Sequence, residues 1–195
     1  MPKKNLYVVM YDENAYNLTD TIQADVKSIV IHADFNYRSR ANDIAILTLI
    51  THFVFMENLA EISKRGTLKN EVGVIAGFGR LYDSGPFSGL ILYEITMVSE
   101  CSEIGLNYST HDTFCAINPV RERGGVCQGA SGGGLVRSNY EVFGILSSGS
   151  FCGGQGEPAI FTDVFLHKEW IDKVMNGASR KCPILILLNI YLLMI

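Results

Sequence analysis

No cysteine occurs in the first 100 of the 195 residues, and none of the four histidines, at positions 32, 52, 111 and 167, is followed by one. Positive charge is not in excess either. Sixteen Lys and Arg against 20 Asp and Glu leave a net charge of −4, so the basic footprint of a nucleic-acid binder is absent. The opening Met1-Pro2-Lys3-Lys4-Asn5-Leu6-Tyr7 holds no apolar run of signal-peptide length before Tyr11-Asp12-Glu13. No internal repeat is visible. Nothing in the sequence asks for a cofactor or a metal.

What is present suits a globular β protein. With 48% hydrophobic and 18% charged residues, the chain is long enough for a sizeable core in one domain or two small ones. Short β-branched runs separated by turn residues predict strands over 6–10, 26–32, 44–50, 72–78, 90–98, 135–136, 142–146 and 159–162, a spacing that fits sandwiches or barrels. Leu166, Trp170, Ile171, Val174 and Met175 recur at helical spacing and are stopped by Asn176-Gly177, which predicts one helix near the end, read as core packing. Of the 19 glycines, 11 lie between 124 and 156.

Those glycines frame one serine, in Cys127-Gln128-Gly129-Ala130-Ser131-Gly132-Gly133-Gly134-Leu135-Val136. A nucleophilic serine must stand exposed while backbone N–H groups converge on the oxygen that gains charge during acyl transfer, and glycines let the backbone come that close. A bare glycine-rich Ser loop is as readily an ordinary turn. The surroundings decide: Phe114-Cys115-Ala116 before it, Gly144-Ile145-Leu146-Ser147-Ser148-Gly149 after it, and Pro158-Ala159-Ile160-Phe161-Thr162 further on. In this order and spacing the segments resemble the trypsin/chymotrypsin family of serine proteases.

The resemblance implies an all-β fold, the trypsin-like double β-barrel with a carboxy-terminal helix, its active site in the cleft between the barrels. Ser131 would be the nucleophile, and the N–H groups of Gly129 and Ser131 the oxyanion hole. Asn42-Asp43-Ile44-Ala45-Ile46-Leu47 resembles the segment that carries the buried triad aspartate, so Asp43 would fix the tautomer of the catalytic histidine and stabilise its imidazolium. An Asp heading an apolar strand is by itself more often a cap or turn residue. Ile31-His32-Ala33-Asp34-Phe35-Asn36 resembles the family's approach to that strand and lifts the functional reading; His32 belongs to the approach, not to the triad. Four cysteines permit three pairings; the resemblance selects Cys101–Cys115 and Cys127–Cys152 and leaves Cys182 without an obvious partner. Such bridges imply an oxidising compartment and a secreted, extracellular protein.

Two departures from the family stand out. The Ala-Ala-His-Cys segment that carries the catalytic histidine is absent. Leu6–Met10 resembles the strand that follows it, so Met1 is expected to begin inside the first barrel, a truncated amino terminus. Ala130 replaces the aspartate that pairs with the freed amino terminus on activation and opens the oxyanion hole. The first barrel, residues 1–76, is then expected to lack its opening strands and to leave backbone edges unpaired. The second barrel with the helix is expected over 77–177.

The family's pocket-floor position falls on Gly125 and its walls on Gly149 and Ala159, none acidic, so a trypsin-like choice of Lys or Arg is not implied. The pocket resembles that of chymotrypsin or elastase, with Ala159 trimming its depth. Ser147, Ser148 and Gly149 would offer the backbone edge that pairs with substrate as an added strand. Small residues there could equally pack a turn. Residues 178–195 are expected outside the fold. The uncharged stretch 183–195 would be about 20 Å long as a helix, short for a bilayer, so membrane attachment is the second reading after translated non-coding sequence. The triplets at Asn17 and Asn107 are glycosylation sequons that matter only in a secreted chain. Three readings of function remain: a serine endopeptidase acting on a protein or peptide substrate, incomplete and inactive as written; a non-catalytic homologue with a protein binding partner; or a decayed gene product.

Overall fold

The structure is a computed structural model that describes residues 6–10, 22–50, 60–80, 84–85, 87–98, 101, 111–117, 126–149, 158–177 and 184–187. Its strands are β1 (Tyr7–Met10), β2 (Ile22–Ile31), β3 (Ala45–Leu49), β4 (Glu61–Ile62), β5 (Val72–Arg80), β6 (Phe87–Val98), β7 (Thr113–Ile117), β8 (Gly134–Val136), β9 (Glu141–Gly149), β10 (Ala159–Asp163) and β11 (Ile184–Leu187); the helix α1 spans Lys168–Gly177. Every predicted strand and the predicted helix are found. The sequence reading missed β4, β7 and β11.

Two sheets form. In the larger, the order β10-β7-β6-β5-β8-β9 closes through a β10–β9 pairing into a six-stranded barrel, and β4 adds in parallel to the outside of β9. Its core is a ring stack: Phe114 lies 5.8 Å from Phe143 and 5.5 Å from Phe161, nearly parallel to both. Gly144 makes the stack possible, because a Cβ there would come within 2.5 Å of the Phe114 ring. Gly73 does the same for Phe143 at 2.7 Å. Since β5 begins at Val72, the boundary expected at residue 76 falls inside this barrel's strand. Gly73 of that strand clears space for a ring.

A buried ion cluster braces the outside of this barrel. Arg137 Nε and Nη2 donate to the two carboxylate oxygens of Glu71 at 2.7 and 3.1 Å, and Nη1 donates to Ser63 Oγ at 2.6 Å and to Glu141 at 3.2 Å. The guanidinium also lies 4.4 Å from the Phe143 ring centroid. Burial alone would raise the Glu71 carboxyl. The hydrogen bonds from Arg137, Arg65 and the Leu68 N–H outweigh it and hold the group at about 2.

The smaller sheet runs β1-β2-β3-β11, all antiparallel. All five residues of β3 are buried. Ile44 and Ile46 pack with Ile145, Val164 and Ile171 of the second barrel and helix, while Leu49 packs with Ala24, Val8 and Val26. The helix therefore buries Ile171, with Trp170, Val174 and Met175 beside it, against both sheets, as its spacing predicts. The expectation that residues 178–195 stand outside the fold needs correction in part: Ile184–Leu187 pair rung by rung with Thr48–Ala45. The physical reason is the one foreseen for the first barrel, since β3 would otherwise present unpaired N–H and C=O groups, and an uncharged strand satisfies them. Ending the chain at Gly177 is expected to expose that edge and give concentration-dependent association in light scattering. A truncated chain that stays monomeric would show the rung to be dispensable.

Candidate active site

Asp43 sits at the head of β3 and is fully buried. Arg40 and Asn42, with φ of 60° and 55°, adopt left-handed backbone in the turn that delivers it, a conformation natural for Asn and costly for Arg. Its carboxylate Oδ2 accepts the hydroxyl of Ser147 at 2.7 Å and lies 3.9 Å from Arg40 Nη1. Its carbonyl accepts the Thr162 hydroxyl at 3.1 Å. A carboxylate this deep in the protein depends on such donors to stay charged.

The Ser131 loop is carried next to Asp43 by the following residues of β9. Gly132 N–H donates to the Leu146 carbonyl at 2.8 Å, and Leu146 N–H donates to the Gly133 carbonyl at 3.0 Å. Leu146 precedes Ser147, so two consecutive residues of one strand hold the serine loop and the aspartate. Gly129 and Gly132, at φ 95° and 85°, take conformations in which a side chain would be strained. Two bonds tighten the turn, Ala130 N–H to the Cys127 carbonyl and Gly133 N–H to the Ala130 carbonyl, each 3.0 Å. Among the described residues, neither the Gly129 nor the Ser131 N–H is spent on a backbone carbonyl. Ala130 is 4% exposed and belongs to the apolar cluster of Val126, Leu146 and Ala159.

Gly149 and Ala159 face one another across the β9–β10 ladder. A Cβ on Gly149 would meet Ala159 and Val126 at 3.6 Å, so this wall is floored by small apolar groups. Ser148 pairs with Ile160 on the β10 side. On its other side, the β8 ladder ends at Gly134 opposite Ile145. Gly125, the expected pocket floor, lies outside the described residues.

The Cys101–Cys115 bridge is present, with Cα atoms 5.0 Å apart. Cys127 is disulfide-bonded as well; its expected partner Cys152 lies outside the described residues, as do the sequons at Asn17 and Asn107. Sequence reasoning took Ser147 only as a strand edge and missed its hydroxyl's bond to Asp43, a contact across 104 positions with no local signal. It also missed a trio beside the site, the buried His167 and Asp112 with the half-buried Asn42. Among the described residues, no helix is long and apolar enough to cross a membrane, and no three acidic, His or Cys side chains gather as metal ligands.

The fold is shared with known proteins. The Trypsin family model matches residues 3–171. Transmembrane protease serine 11G of Rattus norvegicus is 29% identical over 164 residues, covering 77% of this chain and 39% of the relative. Trypsin epsilon of Drosophila erecta is 32% identical over 157 residues, covering 76% of this chain and 60% of the relative. The chain thus spans between two and three fifths of the length of these curated relatives. Among solved structures, neuropsin, a serine protease expressed in the limbic system of mouse brain, superposes with a TM-score of 0.71 over 80% of this chain and 73% of its own, at 23% identity. Mostly β, closed into a six-stranded barrel beside a second sheet and sealed by a carboxy-terminal helix, this chain belongs to the trypsin family.

Proposed function

We propose that the chain carries the Ser131 and Asp43 portion of a secreted serine endopeptidase site that selects an apolar substrate side chain. The single observation that carries this reading is the pairing through β9, with Ser147 bonded to Asp43 and its neighbour Leu146 bonded to the loop of Ser131. In this reading Ser131 attacks the scissile carbonyl, the N–H groups of Gly129 and Ser131 receive the oxyanion, and Asp43 orients an imidazole. The substrate strand adds along Ser147, Ser148 and Gly149, and its side chain enters between Gly149 and Ala159 toward Gly125. No cofactor is involved. These 195 residues contain no histidine in the family's motif, so by themselves they retain no more than the roughly 10³ to 10⁴ over water left when a triad member is lost.

The test uses native protein from its source, assayed with peptides that present Phe, Leu or Ala against peptides that present Lys or Arg. Hydrolysis after the apolar residues is expected, and a preference for Lys or Arg would overturn the pocket reading. A second reading, a non-catalytic homologue that binds protein, is favoured by Ala130, whose methyl lies in an apolar cluster where the family has a carboxylate. Native protein that binds but never cleaves would support it.

A further inference from the structure

The trio at the base of α1, two of its members buried, has a proton requirement. His167 is 4% exposed and Asp112 2%. His167 Nδ1 lies 2.8 Å from the Asp163 carbonyl, which can only accept, so Nδ1 carries a hydrogen. On the other side of the ring, Nε2 lies 3.2 Å from Asn42 Oδ1 and 3.5 Å from Asp112 Oδ2. The Asn42 amide is fixed in that orientation because its Nδ2 donates to the Asp34 carbonyl at 3.2 Å. Both ring nitrogens therefore face acceptors, and a neutral imidazole would set a lone pair against a carboxylate. The carboxylate is held too: Asp112 Oδ2 accepts the backbone N–H of Asn42 at 2.6 Å.

We infer that His167 is a positioning residue for Asp43, acting as a doubly protonated clamp whose second proton is held against Asp112 and Asn42, so that the second barrel and helix fix the turn from which Asp43 projects. The charges around the ring fit. The Asp163 carboxylate is already occupied by the Thr67 hydroxyl at 2.7 Å and by the N–H groups of Phe165 and Leu166. The nearest other titratable ring, His32, stands 5.5 Å from His167 and 4.9 Å from Trp170, and burial together with the neighbouring His167 pushes His32 down, toward the neutral form. Asp112 thus supplies the counter-charge, and Asn42 hands the constraint one residue along the chain to Asp43.

Only the word positioning rests on the proposed role of Asp43; the proton count stands on geometry. The experiment is nuclear magnetic resonance of the full 195-residue chain at pH 7, with histidine ring nitrogens and aspartate carboxyl carbons labelled. Wild type is expected to show both His167 nitrogens protonated. Asp112→Asn, which keeps the shape and removes the charge, is expected to abolish the Nε2 proton signal, shift the Asp43 carboxyl resonance and speed exchange of the Asn42 amide about tenfold or more. Asn42→Ala, which leaves the His167–Asp112 pair in place, is expected to keep the Nε2 proton while moving Asp43. A wild-type His167 with a bare Nε2 would overturn the clamp. An Asp43 resonance unmoved in both folded variants would overturn the positioning role. Failure of the endopeptidase reading in cleavage assays would leave all these signals as they are, so the two ideas fail separately.

Discussion

Replacing Arg137 by alanine is expected to lower the stability of the chain by about 3–5 kcal/mol, the cost of stripping a buried cluster of its cation. Glu71 and Glu141 would be left facing one another with side chains only 10% exposed, and the packing over Phe143 would be lost with the guanidinium. Lysine is expected to recover little, because a single ammonium cannot reproduce four directed bonds to Glu71, Ser63 and Glu141. Urea unfolding measures both. The same cluster sets the acid limit. Glu71 is held at about 2 in the folded state against an ordinary value of 4.5, so its contribution is complete above about pH 4.5 and is lost as pH falls toward 2. Glu71→Gln should flatten that part of the stability profile. An Arg137→Ala chain within 1 kcal/mol of wild type would show that Arg65, the Leu68 N–H and water stabilise these acids without the Arg137 guanidinium, a margin well below the expected ~3–5.

Ala130→Asp is the second large effect, and it separates this chain from its family. Restoring the family's carboxylate here places a charge in the apolar cluster of Val126, Leu146 and Ala159. A loss of about 3–5 kcal/mol at neutral pH is expected, as for any buried charge without its partner. The sign of the pH dependence follows. Burial raises the new carboxyl above its unfolded value, so the penalty is full at high pH and shrinks as pH falls and the group takes a proton. A variant as stable as wild type would mean that a cation reaches residue 130 and that the activating ion pair can form after all.

Most of the fold was legible because its signals are local. The short apolar runs in Ala45–Leu49 and Ala159–Asp163, the glycine frame of Ser131 and the helical spacing of Trp170, Ile171, Val174 and Met175 each lie within a dozen residues. What was missed depends on partners far along the chain. Thr113–Ile117 is short, with its middle three residues buried and no polar alternation to mark it. Glu61–Ile62 is a strand only because β9 lies beside it. Ile184–Leu187 reads as a stray apolar tail until β3 offers an edge. The site divides the same way: Ser131 and Asp43 announce themselves by motif, whereas Ser147 Oγ, His167 and Asp112 acquire their roles from contacts made at 70 to 125 positions' remove. No periodicity encodes those.

The central claim is that Ser131 stands in a trypsin-family site that these 195 residues cannot fire. Incubation of the folded chain with a fluorophosphonate probe, followed by intact-mass analysis and peptide mapping across Gly129-Ala130-Ser131, tests it most directly. The account predicts no labelling above that of a Ser131→Ala control on the timescale on which an active protease is fully modified, because the 195 residues hold no histidine in the family's motif and Ala130 cannot form the family's activating ion pair. Rapid, stoichiometric modification of Ser131 would contradict it.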